Sequence, residues 1–348
     1  MPVTLADVAH RAGVSEATAS RVLNGRPYVA ARTREAVEIA VRELDYAPNR
    51  AARDLSLAKT ATIAVLVHHA QYPAHGEGPF SGRVIDGASR VLRRTGHDTL
   101  YVHVDDDAVD RLVGLAAVRP GRSDGILVLG PAFPVHAVAR LVAASRPVVL
   151  VDNRLAETDV VLSDNEAPMR ELALHLVREH NHRRLVVLAG PRRWPSTAER
   201  VAGVRAAARQ DGVEVTVLHA PETTIRDGAG LAAGLLADPP DAVMAVNDAM
   251  ALGALHAVRE LGHRRPAVTG FDDIAWAELA DPPLTTVSVD AGAIGAAAAS
   301  LLLERMAGSD DTPAREIRVP ARIRLRRSCG CSGPEVTPTT APVGRRHE

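Results

Sequence analysis

Residues 3–25, VTLADVAHRAGVSEATASRVLNG, decide how this chain is read. Leu5, Val8, Ala9 and Ala12 recur at the i, i+3, i+4, i+7 spacing of one apolar helical face. Gly13 tolerates the positive φ that stops such a helix. Ser15 follows as an N-cap for a second helix. In that helix Ala19, Val22 and Leu23 point inward, Ala17, Ser20, Arg21 and Asn24 lie opposite, and Asn24-Gly25 ends the element. Two short helices around a glycine turn, the second with a small polar outer face and one arginine, form a DNA-reading element. An ordinary helical hairpin is the alternative on these residues alone. A third helical pattern over 32–46 places Val37, Ala40, Val41 and Leu44 on one face. Its start at Ala30-Ala31 has no Ser or Thr cap, at a cost of about 1 kcal/mol. Pro48-Asn49 interrupts the chain, and 50–57 suits a short helix, marginal in water without a partner.

A length of 348 residues leaves room for two or three domains, and hydrophobic residues at 46% are ample for sizeable cores. Aromatic residues make up only 3%, so those cores must be built from Ala, Val and Leu. The 41 basic residues include a single lysine, Lys59, an arginine bias that reads as the codon usage of a GC-rich genome. A net charge of −1 argues against polyanion binding by the whole protein. Residues 1–34 nevertheless carry five arginines against Asp7 and Glu16. That modest local excess suits a module that holds DNA firmly only as a dimer. Cys329 and Cys331 lack both the four-ligand spacing of a zinc site and the number for a disulfide framework, so free thiols in a reducing compartment are expected, with no metal and no cofactor. The start of the chain has no signal-peptide pattern and no apolar run reaches membrane-spanning length; the expectation is a soluble, cytoplasmic protein with no membrane partner.

From Thr60 onward the pattern changes. Apolar runs at 61–67, 124–130, 147–152, 184–190, 241–246 and 266–272 alternate with helical stretches at 82–95, 166–179, 197–210, 249–261 and 291–307. Continuous apolar strands followed by helices imply parallel sheets covered on both faces. The strands are too many for one tidy sheet and fit two doubly wound lobes, with ligand binding at the carboxyl ends of the strands. Residues 332–348 are Pro- and Thr-rich without periodicity and read as disordered.

Several strands finish in polar residues where such a fold displays its ligand: His68-His69, Asp152-Asn153, Asp164-Asn165, Asn247-Asp248 and Asp272-Asp273. Arg200 stands in the helix after Ser196-Thr197. Carboxylates accept from hydroxyls, Asn does both, and Arg presents a two-pronged donor, so the set suits a neutral polyol such as a sugar. Asp164 and Asp248 read equally well as helix N-caps. Trp194 and Trp276 suit either stacking on a sugar face or plain packing.

Together these stretches resemble the LacI/GalR-type, lactose-repressor-like transcriptional regulators, over about residues 3–329. The marks are VTLADVAHRAGVSEATASRVLNG, the stretch 33–55, VNDAMALGAL (246–255), GFDD (270–273) and PPLTTV (282–287). The resemblance implies a multi-domain protein: an all-α helix-turn-helix DNA-binding headpiece and an α/β, periplasmic-binding-protein-like core of two doubly wound parallel-sheet lobes. It places the headpiece at 1–47 and a hinge helix and linker at 48–59. The effector core occupies 60–331, with one lobe from 60–162 and 288–318 and the other from 163–287 and 319–331. It further implies a homodimer on a double-stranded operator with inverted half-sites. By position, Ser15, Glu16, Ala17, Ser20 and Arg21 fall at the major groove, with Arg21 suited to guanine O6/N7. Glu16 could accept from cytosine N4 or merely favour the helix N-terminus. Thr4, Asn24, Tyr28, Arg34 and Asn49 fall at DNA-contacting positions, most of them on the backbone, and Leu55 at the position of a minor-groove wedge. The ligand positions fall on Asp152, Arg200, Asn247 and Asp272, with His68 or His69 and Ser196 nearby. Segment 70–80 departs from the family pattern.

The expected function is a sequence-specific DNA-binding transcriptional regulator, a repressor released from a palindromic operator by a small sugar. A corepressor-dependent, purine-type regulator is the alternative, and an exported sugar-binding protein a distant one. An enzyme is not expected, because no P-loop, nucleophile elbow or metal-ligand cluster stands in the sequence. The neighbouring Asp272 and Asp273 would point apart on an extended chain.

Overall fold

The computed structural model describes residues 3–23, 29–46, 60–68, 79–144, 147–308 and 312–332. Two compact units emerge, 1–60 and 61–348, each treated on its own.

In the first unit, α1 (Leu5–Ala12) opens on a capping box. The Thr4 hydroxyl accepts from the Asp7 N–H at 3.3 Å and the Asp7 carboxylate accepts from the Thr4 N–H at 2.8 Å. Gly13 closes the helix at φ 67. Helix α2 (Glu16–Leu23) is capped by Ser15, whose Oγ accepts from the Thr18 N–H at 3.2 Å. Helix α3 (Ala31–Glu43) starts at Ala30 with no side-chain cap bond. It stops short of the predicted residue 46 because Asp45 turns to φ 48. Val8, Ala9, Ala19, Val22, Val37 and Ala40 are buried together, a small core of small side chains. Leu23 is only half-buried.

The second unit holds two parallel sheets. The larger has the order β11-β5-β4-β3-β1-β2, from β1 (Thr62–His68), β2 (Asp98–Val104), β3 (Gly125–Leu129), β4 (Val148–Val151), β5 (Asp159–Ser163) and β11 (Glu316–Val319). The smaller has the order β7-β6-β8-β9, from β6 (Arg184–Ala189), β7 (Glu214–His219), β8 (Ala242–Ala245) and β9 (Ala267–Thr269). An antiparallel pair, β10 (Thr286–Val289) and β12 (Ala321–Arg324), joins them, with a bridge from Thr269 to Thr285. Alternate residues of the central strands pack on opposite faces. Ala64, Leu66, Ile126 and Val128 meet Phe133 and Leu141, while Ile63, Val65, Leu127 and Val149 face the other way.

Helix α4 (Pro79–Arg94) packs against α12 (Ala291–Met306) over the larger sheet, and α7 (Glu166–Glu179) against α8 (Pro195–Asp211) over the smaller. Between them in chain order run α5 (Asp106–Val109), α6 (Val135–Ala144), α9 (Ile225–Ala233), α10 (Asp248–Val258) and α11 (Ala275–Leu279). The chain stays in the larger sheet through Ser163 and again through Val319, one residue past the lobe limits drawn at 162 and 318, because both residues are in strand register. The predicted helix 249–261 ends at Val258; a 3-10 turn follows, broken at Gly262. The predicted strand 266–272 covers only Ala267–Thr269, and the stretch to Asp272 pairs only through isolated bridges, Thr269 to Thr285 and Asp272 to Ser288.

Candidate functional site

Strand ends and one helix start deliver a polar cluster between the lobes. Beyond β4, Asp152 sits at φ 53; beyond β9, Asp272 and Asp273 sit at φ 109 and φ 51. Side-chain-bearing residues seldom hold such backbone, and it gathers where groups must be aimed. Helix α8 begins with Trp194 as N-cap and Pro195 in its first turn, so Ser196 and Arg200 share one inward face.

Buried Arg200 organises the cluster. Its Nε donates to Asn165 Oδ1 at 2.9 Å and its Nη1 to the Val246 carbonyl at 2.5 Å. Its guanidinium lies 3.6 Å from the centre of the Phe271 ring, with Nη2 3.7 Å from Asp272 Oδ1. Ser196 Oγ, from the smaller-sheet lobe, donates to Asp152 Oδ2 of the other lobe at 3.3 Å. Arg83 of α4 reaches across the same gap to donate to the Asp272 carbonyl at 2.8 Å. Burial pushes the Asp152 carboxyl up to about 7, against the pull of Arg200. Burial pushes Asp272 up to about 6, against Arg200 and Arg83. These are acids held near neutrality where a polar ligand would sit.

Around them runs a second layer. Glu199 of α8 accepts from Arg154 at 2.7 Å, from Arg318 at 3.3 Å and from Asn165 at 2.8 Å, while Arg154 also meets Glu316 at 2.6 Å. Arg154 and Arg318 belong to the larger-sheet lobe, so the network ties one lobe to the other. Asn247 caps α10, accepting from the Met250 N–H at 2.9 Å and donating to the Thr223 carbonyl at 2.9 Å. Asp248 is fully buried and accepts from Thr286 Oγ1 at 2.5 Å and from the Ile274 N–H at 2.9 Å. It braces the fold behind the site and is not the N-cap.

A curated relative, the HTH-type transcriptional regulator CelR of Thermobifida fusca, is 34% identical over 327 residues, covering 90% of this chain and 94% of the relative. This chain belongs to the LacI family of bacterial transcriptional regulators. The model described as "Bacterial regulatory proteins, lacI family" matches residues 4–49, and that of the "Periplasmic binding protein-like domain" matches 173–329. The HTH-type transcriptional repressor PurR of Escherichia coli is 30% identical over 341 residues, covering 93% of this chain and 96% of that one. A lac repressor dimer bound to operator and the anti-inducer ONPF superposes with a TM-score of 0.81 at 27% identity, over 94% of this chain and 99% of that one. A CelR–cellobiose complex superposes at 0.69 with 31% identity, with 94% and 99% covered. These LacI-family relatives are transcriptional regulators, and the chain is a DNA-binding regulator of that kind. No helix among the described residues is long and apolar enough to cross a membrane.

In this LacI-family headpiece, Ser15, Glu16, Ala17 and Arg21 are exposed along one side of α2, and Ser20 is half-buried. Glu16 lies in the first turn, where the helix end favours a carboxylate. Thr4 caps α1, and Arg34 is half-buried on α3. Asn24, Tyr28, Asn49, Leu55 and His69, with the connector 48–59, most of 70–80 and almost all of the tail, lie outside the described residues.

Of the expected ligand positions, Asp152, Ser196, Arg200 and Asp272 come together. His68 is buried in its own lobe, with Nε2 3.2 Å from Asp106 and its ring edge-on to Phe133 at 5.7 Å. Trp194 is buried, and its indole N–H has no hydrogen-bond partner among the described residues. Trp276 is 45% exposed on α11 and makes none of these contacts. Arg83 and Glu199 were invisible in the sequence, being ordinary helical charges until the lobes face each other. The surroundings of Cys329 and Cys331 were equally invisible in the sequence. Both cysteines are free thiols, yet they lie beside His175 and His180 with all four potential ligand atoms within 4.8 Å. Spacing rules find only ligands that are close along the chain.

Proposed function

We propose that this regulator is a homodimeric repressor that acts in the cytoplasm on a palindromic operator and lets go when a small neutral sugar enters the gap between its lobes. Ser15, Glu16, Ala17, Ser20 and Arg21 read base edges, with Arg21 on a guanine, while Thr4, Asn24, Tyr28, Arg34 and Asn49 contact DNA mostly through the backbone. Leu55, in the connector 48–59 between headpiece 1–47 and core, is the minor-groove wedge. The chain binds its ligand without turning it over.

One observation carries the ligand reading: buried Arg200 is flanked by Asp152 and Asp272, carboxyls desolvated by both lobes. Sugar hydroxyls would donate to those carboxylates while Arg200 donates to a ring or hydroxyl oxygen. The unsatisfied Trp194 N–H offers one further donor. The cellobiose complex of a structure 31% identical is in accord with a sugar. Ligand contacts that bridge the lobes compete with the Arg154–Glu199–Arg318 network, and a coupling of about 1–3 kcal/mol would change operator affinity about 5–150-fold.

A thermal-shift screen of mono- and disaccharides alongside nucleobases, followed by operator gel shifts with any hit, tests this reading. A neutral sugar should raise Tm and weaken operator binding. Because it prefers ionised carboxylates, its affinity should rise as pH climbs through 6 to 7. Stabilisation by a purine and by no sugar would replace the inducer reading with a corepressor one.

A further inference from the structure

We propose that His175, His180, Cys329 and Cys331 form a tetrahedral zinc site that fastens the end of α7 to the turn that follows β12. Helix α7 carries His175 four residues before its end at Glu179. It stops at His180, and Asn181 at φ 56 turns the chain, which leaves the His180 imidazole edge-on to that of His175. Their Nε2 atoms stand 3.2 Å apart. From the other end of the chain, a short 3-10 turn over Arg327–Cys329 delivers Cys329, and Gly330 at φ 99 reverses direction to present Cys331. Cys331 Sγ lies 3.5 Å from His175 Nε2 and 3.4 Å from His180 Nε2, across 156 and 151 positions of sequence.

These separations have the size that a shared metal imposes. With Zn–N near 2.05 Å and Zn–S near 2.3 Å, tetrahedral edges are about 3.3 Å for N···N and about 3.6 Å for S···N. Three of the four ligand atoms already stand at those edges. The remaining separations all involve Cys329 Sγ and none exceeds 4.8 Å, so bringing it to those edges takes a side-chain movement of at most roughly 1 Å. Two imidazole nitrogens and two sulfurs converge here.

The surroundings fit ligation. A Cβ at Gly330 would lie 3.3 Å from His180 Nδ1, so both the left-handed turn and the close imidazole depend on glycine. The Thr285 hydroxyl is 3.1 Å from Cys329 Sγ, placed to hydrogen-bond a thiolate. The His182 ring stacks on that of His180, 5.7 Å between centroids. Two thiolates and two imidazoles select zinc over hard cations such as magnesium or calcium. Four protein ligands leave no open position, so the ion would be structural. Asn165, the Arg200 partner, precedes α7, so the ion would stand about 15 Å along the helix from the ligand cluster.

Full-length protein without a histidine tag, grown with zinc and freed of loose metal, should carry about one zinc per chain. Replacing the ion with cobalt(II) should give the intense visible bands of a tetrahedral centre and a near-ultraviolet thiolate charge-transfer band. Cys331→Ser should weaken that charge-transfer band, and His175→Gln should shift the visible bands. Each should lower zinc affinity at least about 10-fold against a chromophoric chelator. Circular dichroism of each variant separates lost ligation from lost fold. Wild-type protein that stays zinc-free after exposure to zinc, and gives only the weak octahedral cobalt spectrum, overturns the proposal whatever the variants do.

Discussion

Replacing Asp152 by Asn tests how the ligand gap is built. The carboxyl stands at about 7 in the folded chain against an ordinary 3.8, chiefly because burial penalises its charge. A carboxyl raised on folding binds its proton more tightly in the native state. Its contribution to stability is therefore full below the unfolded value and disappears as pH rises through the folded one. Between pH 5 and pH 8 that loss comes to roughly 2–3 kcal/mol for this group alone. Asn fills the same space, accepts from Ser196, tolerates the left-handed backbone at this position and does not titrate. Urea unfolding of ligand-free protein, followed by circular dichroism at both pH values, gives the comparison. Relative to wild type, Asp152→Asn should gain roughly 2–3 kcal/mol on going from pH 5 to pH 8, while losing affinity for the effector. If the difference between the two proteins is the same at both pH values, Asp152 is an ordinary carboxylate and the desolvated-acid account of the gap fails.

The other predictions concern single residues. Arg21→Ala should cost about 1–3 kcal/mol of discrimination at one base pair per half-site while weak nonspecific binding persists, measured by gel shift at fixed salt. Thr4→Ala removes the oxygen that caps α1 and should destabilise the headpiece by about 1 kcal/mol, with Thr4→Ser nearly neutral; headpiece melting reads both. Asp159 and Arg305 form a buried two-pronged pair at 2.6 and 2.8 Å. Asp159→Ala strands the guanidinium and should cost about 3–5 kcal/mol in chemical denaturation. A loss below about 1 kcal/mol would mean that water reaches Arg305 in the variant.

What the amino-acid order determined is whatever depends on neighbours along the chain. The α1–α2 turn needs only Gly13 and Ser15. The central strands β1, β3, β4, β6 and β8 need only continuous apolar runs, because both faces are buried. The edge strands β2, β7 and β11 escaped notice for the complementary reason: one side of each is open, so the alternating exposed residues of DTLYVHV or EVTVLH do not read as apolar runs. The strand ends at Asp152 and Asp272 were legible as polar punctuation. Tertiary structure alone decided which of those polar groups meet. Arg200 selects Asn165, Val246 and Asp272 from three separate stretches of chain, Arg83 and Glu199 meet Asp272 and Arg154 only across the gap, and two cysteines face two histidines only after β12 returns to α7. Local pattern follows from short-range sterics and burial, whereas a site built from distant segments exists only once the sheets have stacked and the lobes have closed on each other.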